Sequence, residues 1–561
     1  MNNLSYKFTL LVSLIYLSVS TLAQDKKDNP ASPTPGTGAA ASTLTEEIEV
    51  VRPYKPVLAD AVKIRRNPDM DNTKQFKPVL SYSIVDKKLE LNSNIKELQA
   101  QNMQDELARI LSNNYVKIGA GNFNTANGEL YINNGQDQAL QTGAYFKHIS
   151  QQGNLDKQQF SSQALGVFGR SITDTYSLSG KLSYDRRSTF FYGFNPASSV
   201  PVDMSKQRFG IIEANGEITS KYSESSNLDY TAGINLYQFS DINDARESSV
   251  LLNTSIHKKI SLASLGLNAS ADLTSSKDAA YKLGNHLLRA NPFVRYKKDN
   301  FDVHIGANIV QEFGTSARLN IFPAVSIDVP VIEGYAILFG GLNGDVLKTS
   351  LKELSAENQF INKNISIKNS VQKLNAFAGI KGNTGAPFGY KIMAYYKSIE
   401  DMQFFVNNPT EINRFDVIYD SGKSTVFGIE GELTAKATDV LTIGGKAQIL
   451  NYNLATEMDA WFKPTFRLTS NASLQLNKKL FLDGEAVLQG ETTTRIAGPA
   501  GSFSVGSLNG FVDLSAGAEY KVNDKIGVYL RANNLTAQTY QRYLFYPRMG
   551  LTVFGGLNYS F

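Results

Sequence analysis

Few side chains in this chain have the types and spacing that catalysis or metal binding requires. The four histidines are scattered and form no His-Glu-x-x-His motif. They are His148, His257, His286 and His304. Asp241 to Asp244 (DIND) lacks the full ligand spacing of a calcium loop, so a plain turn is the better interpretation. Neither a Gly-x-Ser-x-Gly motif nor a phosphate-binding loop occurs. We therefore expect no enzyme activity, no catalytic residue, no metal and no cofactor.

A basic pair and an aromatic run lie close together in the sequence. Arg186-Arg187 could attract the phosphates of lipopolysaccharide or an anionic ligand, although exposed arginines are more often simply solvated. Four aromatic side chains follow at Phe190, Phe191, Tyr192 and Phe194. They could contact a sugar or a protein partner, but we interpret them as part of an aromatic belt at a membrane surface.

A short stretch near the amino end has the pattern of a strand that meets a partner. The sequence EEIEVV combines acidic and apolar residues in a short predicted strand, and it follows a linker directly. Its residues are Glu46, Glu47, Ile48, Glu49, Val50 and Val51. Such a segment could add as a strand to a periplasmic protein, or dock on this protein's own barrel or on another partner.

The last eleven residues (LTVFGGLNYSF) alternate between apolar and mostly polar positions, which predicts a strand. Their number is close to the roughly 9–11 residues that a tilted strand needs to cross a bilayer. The ending resembles the insertion signal of bacterial outer-membrane barrels, which implies recognition by the barrel-assembly machinery. The residues that carry it are Leu551, Val553, Leu557, Tyr559 and Phe561. An ordinary amphipathic terminal strand is the alternative.

From residue 115 to residue 561, strand-like alternation recurs between short polar turns, such as His257 to Lys259, and longer loops, such as Ser275 to Gly284. Ten short turns separate eleven hairpins, which gives 22 strands, within an expected range of about 18–22. Charges on a lipid-facing side are costly, so mid-strand carboxylates such as Glu430 and Asp483 should point inward. We predict an all-β, antiparallel, up-and-down transmembrane β-barrel. A soluble β-sandwich is the alternative, but it would not ordinarily repeat this pattern for so long.

The amino-terminal part of the chain is predicted to lie outside the barrel. Residues 1–23 have the charge and apolar run of a secretory signal, with an uncleaved anchor as the alternative. Residues 24–45 are a Pro/Ala/Ser/Thr/Gly linker that we expect to be disordered. Residues 46–114 are expected to form a periplasmic segment, with one amphipathic helix or two short ones within 95–111. The chain has no cysteine, and a net charge of +4 is too balanced to indicate nucleic-acid binding.

The carboxyl-terminal segment Asn533 to Phe561 resembles that of TonB-dependent receptor barrels. The shared features are an Asn-Leu pair, spaced tyrosines, a Tyr-Pro pair, a glycine and the final aromatic strand; here they are Asn534-Leu535, Tyr540, Tyr543, Tyr546-Pro547, Gly550 and Phe561. The family's usual Arg after the glycine is Leu551 in this chain. The resemblance covers the barrel and not the glycine-rich plug, since no glycine occurs between Gly38 and Gly119. The arrangement looks like the plug-lacking, receptor-like barrels of Bacteroidota, which carry an amino-terminal segment similar to Val50 to Ile64. The stretch Glu46 to Val51 resembles the family's TonB box, although the usual Thr is missing.

Two functions fit this sequence. One is transport of a solute across the bacterial outer membrane; the other is a structural role as a subunit or scaffold of a multi-protein outer-membrane complex. An empty barrel of this size would leak, so something must fill its lumen. The candidates are residues 52–114, inward loops such as Leu351 to Ser370, or a partner lipoprotein. The expected partners are outer-membrane lipid and lipopolysaccharide, the barrel-assembly machinery, and TonB or an outer-membrane lipoprotein.

Overall fold

The computed structural model describes residues 114–134, 139–196, 202–221, 228–314, 316–383, 388–497 and 502–561. Within these ranges most of the chain is strand. In chain order the strands are β1 (Asn114–Gly121), β2 (Thr125–Asn133), β3 (Leu140–Gln152), β4 (Gln159–Ile172), β5 (Tyr176–Phe190), β6 (Lys206–Ser220), β7 (Leu228–Asp241), β8 (Arg246–Ile260), β9 (Ala263–Lys277), β10 (Lys282–Lys298), β11 (Phe301–Gly314), β12 (Leu319–Ile332), β13 (Ala336–Leu347), β14 (Ser370–Asn383), β15 (Phe388–Asn407), β16 (Phe415–Lys436), β17 (Leu441–Asn453), β18 (Phe466–Gln475), β19 (Leu480–Gln489), β20 (Thr492–Ala497), β21 (Phe503–Leu508), β22 (Phe511–Lys521), β23 (Ile526–Asn533) and β24 (Thr552–Ser560). A helix, α1 (Leu351–Glu357), lies between β13 and β14.

Twenty-two of these strands form one antiparallel sheet that closes on itself. Neighbours pair in chain order, and β24 returns to pair with β1, with Tyr115 opposite Ser560 and Gly121 opposite Phe554. The hairpin of β20 and β21 stands apart, so that β19 pairs directly with β22. Closure leaves no unpaired strand edge, which lipid would not tolerate. The predicted all-β barrel of 22 strands is confirmed.

The two rims of the barrel differ in their connections. At the short-turn rim, neighbouring strands are joined by brief links such as Thr173 to Thr175, and Asn114 and Phe561 meet there through a backbone hydrogen bond of 3.1 Å. At the loop rim, the connections after β5, β13, β17, β19 and β23 are longer. This asymmetry agrees with the sequence pattern.

Some predicted connections are strand instead. The polar residues His257 to Lys259 belong to β8, and the turn falls at Ser261 and Leu262. The expected loop Ser275 to Gly284 reduces to four residues between β9 and β10. Strands of 14 to 22 residues, as in β9 to β12 and β14 to β16, are longer than a bilayer needs, so polar residues continue the pairing beyond the lipid.

The two faces of the sheet have opposite chemistry. On β16, Phe427 and Ile429 are 49% and 42% exposed on the outer face, whereas Glu430, the residue after Ile429, is buried inside and pairs with Lys446 at 2.7 Å. Asp483 likewise pairs inside with Arg531 at 2.9 Å. The predicted orientation of mid-strand carboxylates is confirmed. Across the described part of the chain, no helix is long and apolar enough to span a membrane.

Candidate functional site

The loops of the loop rim converge on one hydrophobic cluster, which we call the loop cap. Its largest fully buried side chains are aromatic, and Trp461 is 0% exposed. Its residues belong to the connections after β5, β13, β15, β17 and β23 and to nearby strand ends. Its main members are Phe191, Tyr192, Leu351, Leu354, Phe360, Phe404, Phe405, Phe415, Trp461, Phe462, Tyr543 and Tyr546. Burial of so many aromatic side chains makes a packed structure and not a set of separate loops.

The loop cap reaches across the lumen. Asn413, after β15, donates from Nδ2 to the carbonyl oxygens of Phe191 and Asp203, both at 2.8 Å. Its neighbour Arg414 pairs with the Asp203 carboxylate at 2.8 Å. Ten strands separate these two connections on one side of the ring and twelve on the other, so they start from nearly opposite walls. A 22-strand barrel is about 40 Å wide. Loops that start from nearly opposite walls therefore meet over the outer end of the lumen.

Helix α1 fastens one part of the cap to the inner wall. Ser350 caps its amino end by accepting a hydrogen bond from the Glu353 N–H at 3.1 Å. Two further free N–H groups, of Leu351 and Lys352, donate to the Glu247 carboxylate on β8 at 2.9 and 3.2 Å. A carboxylate at a helix amino end satisfies unpaired donors and complements the helix dipole.

The same wall carboxylate also binds its own neighbours, which fixes its position. Glu247 is 1% exposed and accepts from the Ser276 hydroxyl at 2.7 Å and the Tyr237 hydroxyl at 2.9 Å. Lys352 adds an ion pair to Glu213 on β6 at 2.7 Å. The start of α1 is therefore held by two carboxylates of the inner wall.

The end of α1 is held by loops from the other side of the barrel. The Glu357 carboxylate pairs with Lys463, after β17, at 2.7 Å, and its carbonyl accepts from the Tyr543 hydroxyl at 2.8 Å. Just beyond, the rings of Phe360 and Tyr546 stack with centroids 3.5 Å apart. The connection from β13 to β14 therefore runs from the wall strands β6 and β8 to the loops that follow β17 and β23.

Electrostatics distinguish the two acidic residues of α1. Burial, reinforced by the nearby Glu247 charge, raises the pKa of Glu353 to about 7. Burial also acts to raise the pKa of Glu357, but the Lys463 ammonium outweighs it and the pKa is lowered. Glu353 is therefore the cap carboxyl whose protonation changes near neutral pH.

The loop cap is a packed hydrophobic and hydrogen-bonded structure over the lumen. Among the described residues, no group of three or more His, Asp or Glu side chains could hold a metal ion. His148 and His286 lie on the outer face, while His304 lies inside and His257 pairs with Asp229 at 2.9 Å. Asp241 accepts from the backbone N–H groups of Asn243 and Ala245, each at 2.8 Å, so DIND is the plain turn that the sequence indicated.

The aromatic run after β5 does not form a membrane belt as predicted. Phe191 and Tyr192 are 1% and 2% exposed and belong to the loop cap. Their loop folds inward over the lumen, where the aromatic rings of Phe360 and Tyr546 cover Tyr192. Phe194 remains 38% exposed. The sequence signal that could have located the cap was the density of aromatic residues in several loops at once.

The other residues predicted for function are placed only in part. Glu46 to Val51, with its possible TonB contact, lies outside the described residues, as do residues 1–113 generally. At the carboxyl end, Leu557, Tyr559 and Phe561 are 53%, 43% and 51% exposed on the outer face, and Leu551 is 37% exposed. Val553 lies opposite Ala532 of β23. Their role in insertion remains a prediction.

Comparison with known proteins gives the fold and no close relative. No family model and no curated protein matches the chain. Among solved structures, the pyoverdine outer-membrane receptor FpvA of Pseudomonas aeruginosa has a TM-score of 0.61 at 10% identity, over 80% of this chain and 78% of that one. The ferric-catecholate import receptor Fiu of E. coli has a TM-score of 0.60 at 11% identity, over 80% and 82%. The FrpB iron transporter of Neisseria meningitidis has a TM-score of 0.61 at 13% identity, over 82% and 83%.

These similar structures are described as receptors and a transporter. Identities of 10–13% establish shared architecture and leave the ligand open. The closed 22-strand sheet and its apolar outer face agree with that architecture. The chain therefore has a receptor-like outer-membrane β-barrel fold.

Proposed function

We propose that this protein moves a solute across the outer membrane through its lumen, with the loop cap and α1 as the outer gate. The observation that carries the proposal is the bonding of Asn413 and Arg414 to a loop that starts from the opposite wall. An open pore needs no such crossing, whereas a gated pathway does. The receptors FpvA and Fiu are described with pyoverdine and as a ferric-catecholate importer, so an iron chelate is the substrate class to test first.

The gate has the physical properties that opening requires. α1 is held at both ends by ion pairs and hydrogen bonds, through Glu213 and Glu247 at its start and Lys463 at its end. Partly exposed ion pairs contribute little each, about 0–1 kcal/mol. A ligand that competes for these charged groups can therefore release one end of α1 without unfolding the barrel.

We further propose that the chain lacks a plug, that residues 52–113 cover the periplasmic mouth, and that Glu46 to Val51 engages TonB. The support is compositional: the sequence between Gly38 and Gly119 is too short and glycine-free for a plug. The lumen would then be closed by two separate devices, one at each rim.

Potassium conductance in planar bilayers tests the proposal with four proteins. They are the full chain, a variant in which residues 351–369 are replaced by a four-residue Gly-Ser turn, a variant without residues 52–113, and the combination of both. The turn is sterically simple because β13 and β14 are adjacent and paired. Shift in gel mobility on heating confirms that each variant is a folded barrel.

We expect the full chain to conduct little and the combined variant to conduct many-fold more. If the combined variant stays closed, the cap is not a gate and a scaffold role is favoured. If the full chain already conducts as a wide pore, the cap does not seal the lumen. Uptake of a radiolabelled iron chelate by cells then distinguishes a gated transporter from a sealed structural barrel.

A further inference from the structure

The outer face of β5 to β7 carries a small basic hollow close to the loop rim. Side chains alternate along a strand, so Tyr184 and Arg186 lie on the same outer face of β5, where Tyr184 is 41% exposed. On β6, Arg208 and Gly210 share the outer face with Ile212, which is 53% exposed. We call this hollow the arginine cup; its lining residues are Tyr184, Arg186, Arg208, Phe209, Gly210, Ser240 and Asp241.

The register of the strands builds the cup. Arg186 lies directly opposite Gly210, and Gly210 lies directly opposite Ser240 of β7. Gly210 has no side chain, so the row has a gap between Arg186 and Ser240. A Cβ added at Gly210 would lie 3.4 Å from the Ser240 Oγ and 3.8 Å from the Tyr184 hydroxyl. Two hydroxyls and a guanidinium therefore surround an unfilled position, and Arg208 stands at its outer side.

The positive charge of the cup is not neutralised by the described part of the chain. Neither Arg186 nor Arg208 forms an ion pair with a described residue. Asp241 also lines the hollow, but strand alternation directs its side chain to the opposite side of β7, where its carboxylate accepts two backbone N–H groups of its own turn. Two guanidinium groups beside a hollow with hydroxyl donors match the geometry of a phosphate.

The basic character continues along the same row of the sheet. Arg246 of β8 lies opposite Ser240, Lys277 of β9 lies opposite Arg246, and Lys282 of β10 lies opposite Lys277. All three side chains are exposed. Arg246 has Asp244 nearby at 3.9 Å, but both side chains are largely in solvent. A ligand in the cup would therefore meet further positive charge on one side.

The apolar surface for lipid begins directly below this row. Four residues from Arg186 along β5, Leu182 is 50% exposed on the outer face. The row of opposite residues that starts at Leu182 continues through Leu236, Val250 and Leu273, whose side chains are 37% to 39% exposed. Four residues of strand span about 13 Å. The cup therefore lies at the edge of the hydrocarbon layer, where the phosphates of outer-leaflet lipids are found.

We propose that the arginine cup binds a phosphate group of a phosphorylated glycolipid of the outer leaflet. Arg186 and Arg208 supply the charge, Ser240 and Tyr184 supply hydroxyl donors, and the acyl chains lie over Leu182 and its row. A lipid is favoured over a free anion because the hollow opens outward onto the apolar face and not into the lumen. A glycolipid with several anionic groups also fits the basic row on β8 to β10.

The experiment measures lipid binding to the delipidated full-length barrel by native mass spectrometry. The probes are bisphosphorylated lipid A, the same lipid with both phosphates removed, and inorganic phosphate as a competitor. The test variant is R186Q/R208Q. The matched control is K258Q/K298Q, which removes the same charge from the outer face near the short-turn rim. Heat-dependent gel mobility confirms folding of each.

Each basic side chain near an anionic surface contributes about fivefold in affinity, so R186Q/R208Q should bind bisphosphorylated lipid A roughly 30-fold more weakly. The control should bind it as the native protein does, and the dephosphorylated lipid should bind native protein and test variant equally weakly. Equal affinity of native protein and R186Q/R208Q for bisphosphorylated lipid A would overturn the proposal. Displacement of the lipid by millimolar phosphate would overturn the lipid assignment and leave a free-anion site. Neither result depends on transport activity.

Discussion

Replacement of Glu247 by glutamine should release α1 from the barrel wall while the barrel stays intact. The native carboxylate accepts four hydrogen bonds: two from the N–H groups of Leu351 and Lys352, and two from the Ser276 and Tyr237 hydroxyls. In the glutamine variant, one acceptor oxygen becomes an NH2 group. The hydroxyls can rotate to accept from it, but a backbone N–H cannot.

The magnitude follows from this single lost acceptor. One N–H group of α1 faces a donor instead of a charged acceptor, and a hydrogen bond to a charged group contributes about 1.5–3 kcal/mol. A loss of about 2 kcal/mol corresponds to roughly a 30-fold increase in the equilibrium constant for opening of α1. Because the wall strands keep their pairing, the global stability should change much less.

Hydrogen exchange followed by mass spectrometry measures this opening in detergent micelles. The reporters are the N–H groups of Leu354 and Asn358, which donate within the segment to Ser350 and Leu354 at 3.0 and 2.9 Å. They should exchange about 30-fold faster in the E247Q variant, while peptides of β16 and β17 keep their native rates. Glu217→Gln is the matched control, because its carboxylate is on the same strand as Glu213 but contacts Thr219 and not α1.

Two results would refute the reasoning. Unchanged exchange of the α1 segment would mean that Glu247 does not hold it. Equal acceleration across α1 and the wall strands would mean that the substitution weakens the whole barrel and that α1 is not a separate unit.

Four further predictions concern the gate, the wall and the chain ends. Burial raises the pKa of Glu353 to about 7, so α1 docked on the wall binds a proton that the released segment would not hold between about pH 4.5 and about pH 7. The protection of the α1 amides against hydrogen exchange, corrected for the intrinsic exchange rate, should therefore fall as the pH rises over this range, and E353Q should abolish this dependence. Replacement of Asp483 by leucine removes the carboxylate that pairs with the Arg531 guanidinium inside the wall and should lower the free energy of unfolding by about 3 kcal/mol in urea titrations; a change below about 0.5 kcal/mol would show that water screens this pair. Deletion of Phe561 should reduce the fraction of heat-modifiable, membrane-assembled barrel several-fold in cells, whereas equal assembly would remove its role in insertion. Replacement of Ile48 and Val50 by proline should abolish binding of the periplasmic domain of TonB in pull-down assays, because proline cannot continue a strand ladder; no binding by the native chain would remove the TonB assignment.

Particular residues show where sequence patterns were sufficient. The alternation of Phe427 and Ile429 with Glu430 assigned the lipid and lumen faces of β16 correctly, because the cost of charge in lipid leaves one orientation. The count of 22 strands followed from short turns at one rim. Turn positions were less accurate, since His257 to Lys259 are polar and yet paired in β8. Where a strand extends beyond the bilayer, the polarity of its residues no longer distinguishes it from a turn.

The candidate sites were harder to predict from the sequence. Phe191 and Tyr192 were expected at the membrane surface, but they are buried in the loop cap. Their partners, Phe360 and Tyr546, are far away in the chain, and nothing local in the sequence pairs them. Arg186 and Arg187 were treated as one basic pair, whereas adjacent strand residues face opposite sides, so that Arg186 alone contributes to the arginine cup.

The sequence by itself determined the class of this protein: period-two alternation over more than 400 residues, turn asymmetry and an aromatic carboxyl end specify a membrane barrel. These signals are local, because each strand meets lipid on one side regardless of its distant neighbours. Only the tertiary structure decided how the barrel is closed at its outer end and where the basic hollow forms. Both depend on side chains brought together from strands far apart in the chain: the cap through loops that start on opposite walls, and the cup through the register that sets Arg186, Gly210 and Ser240 in one row.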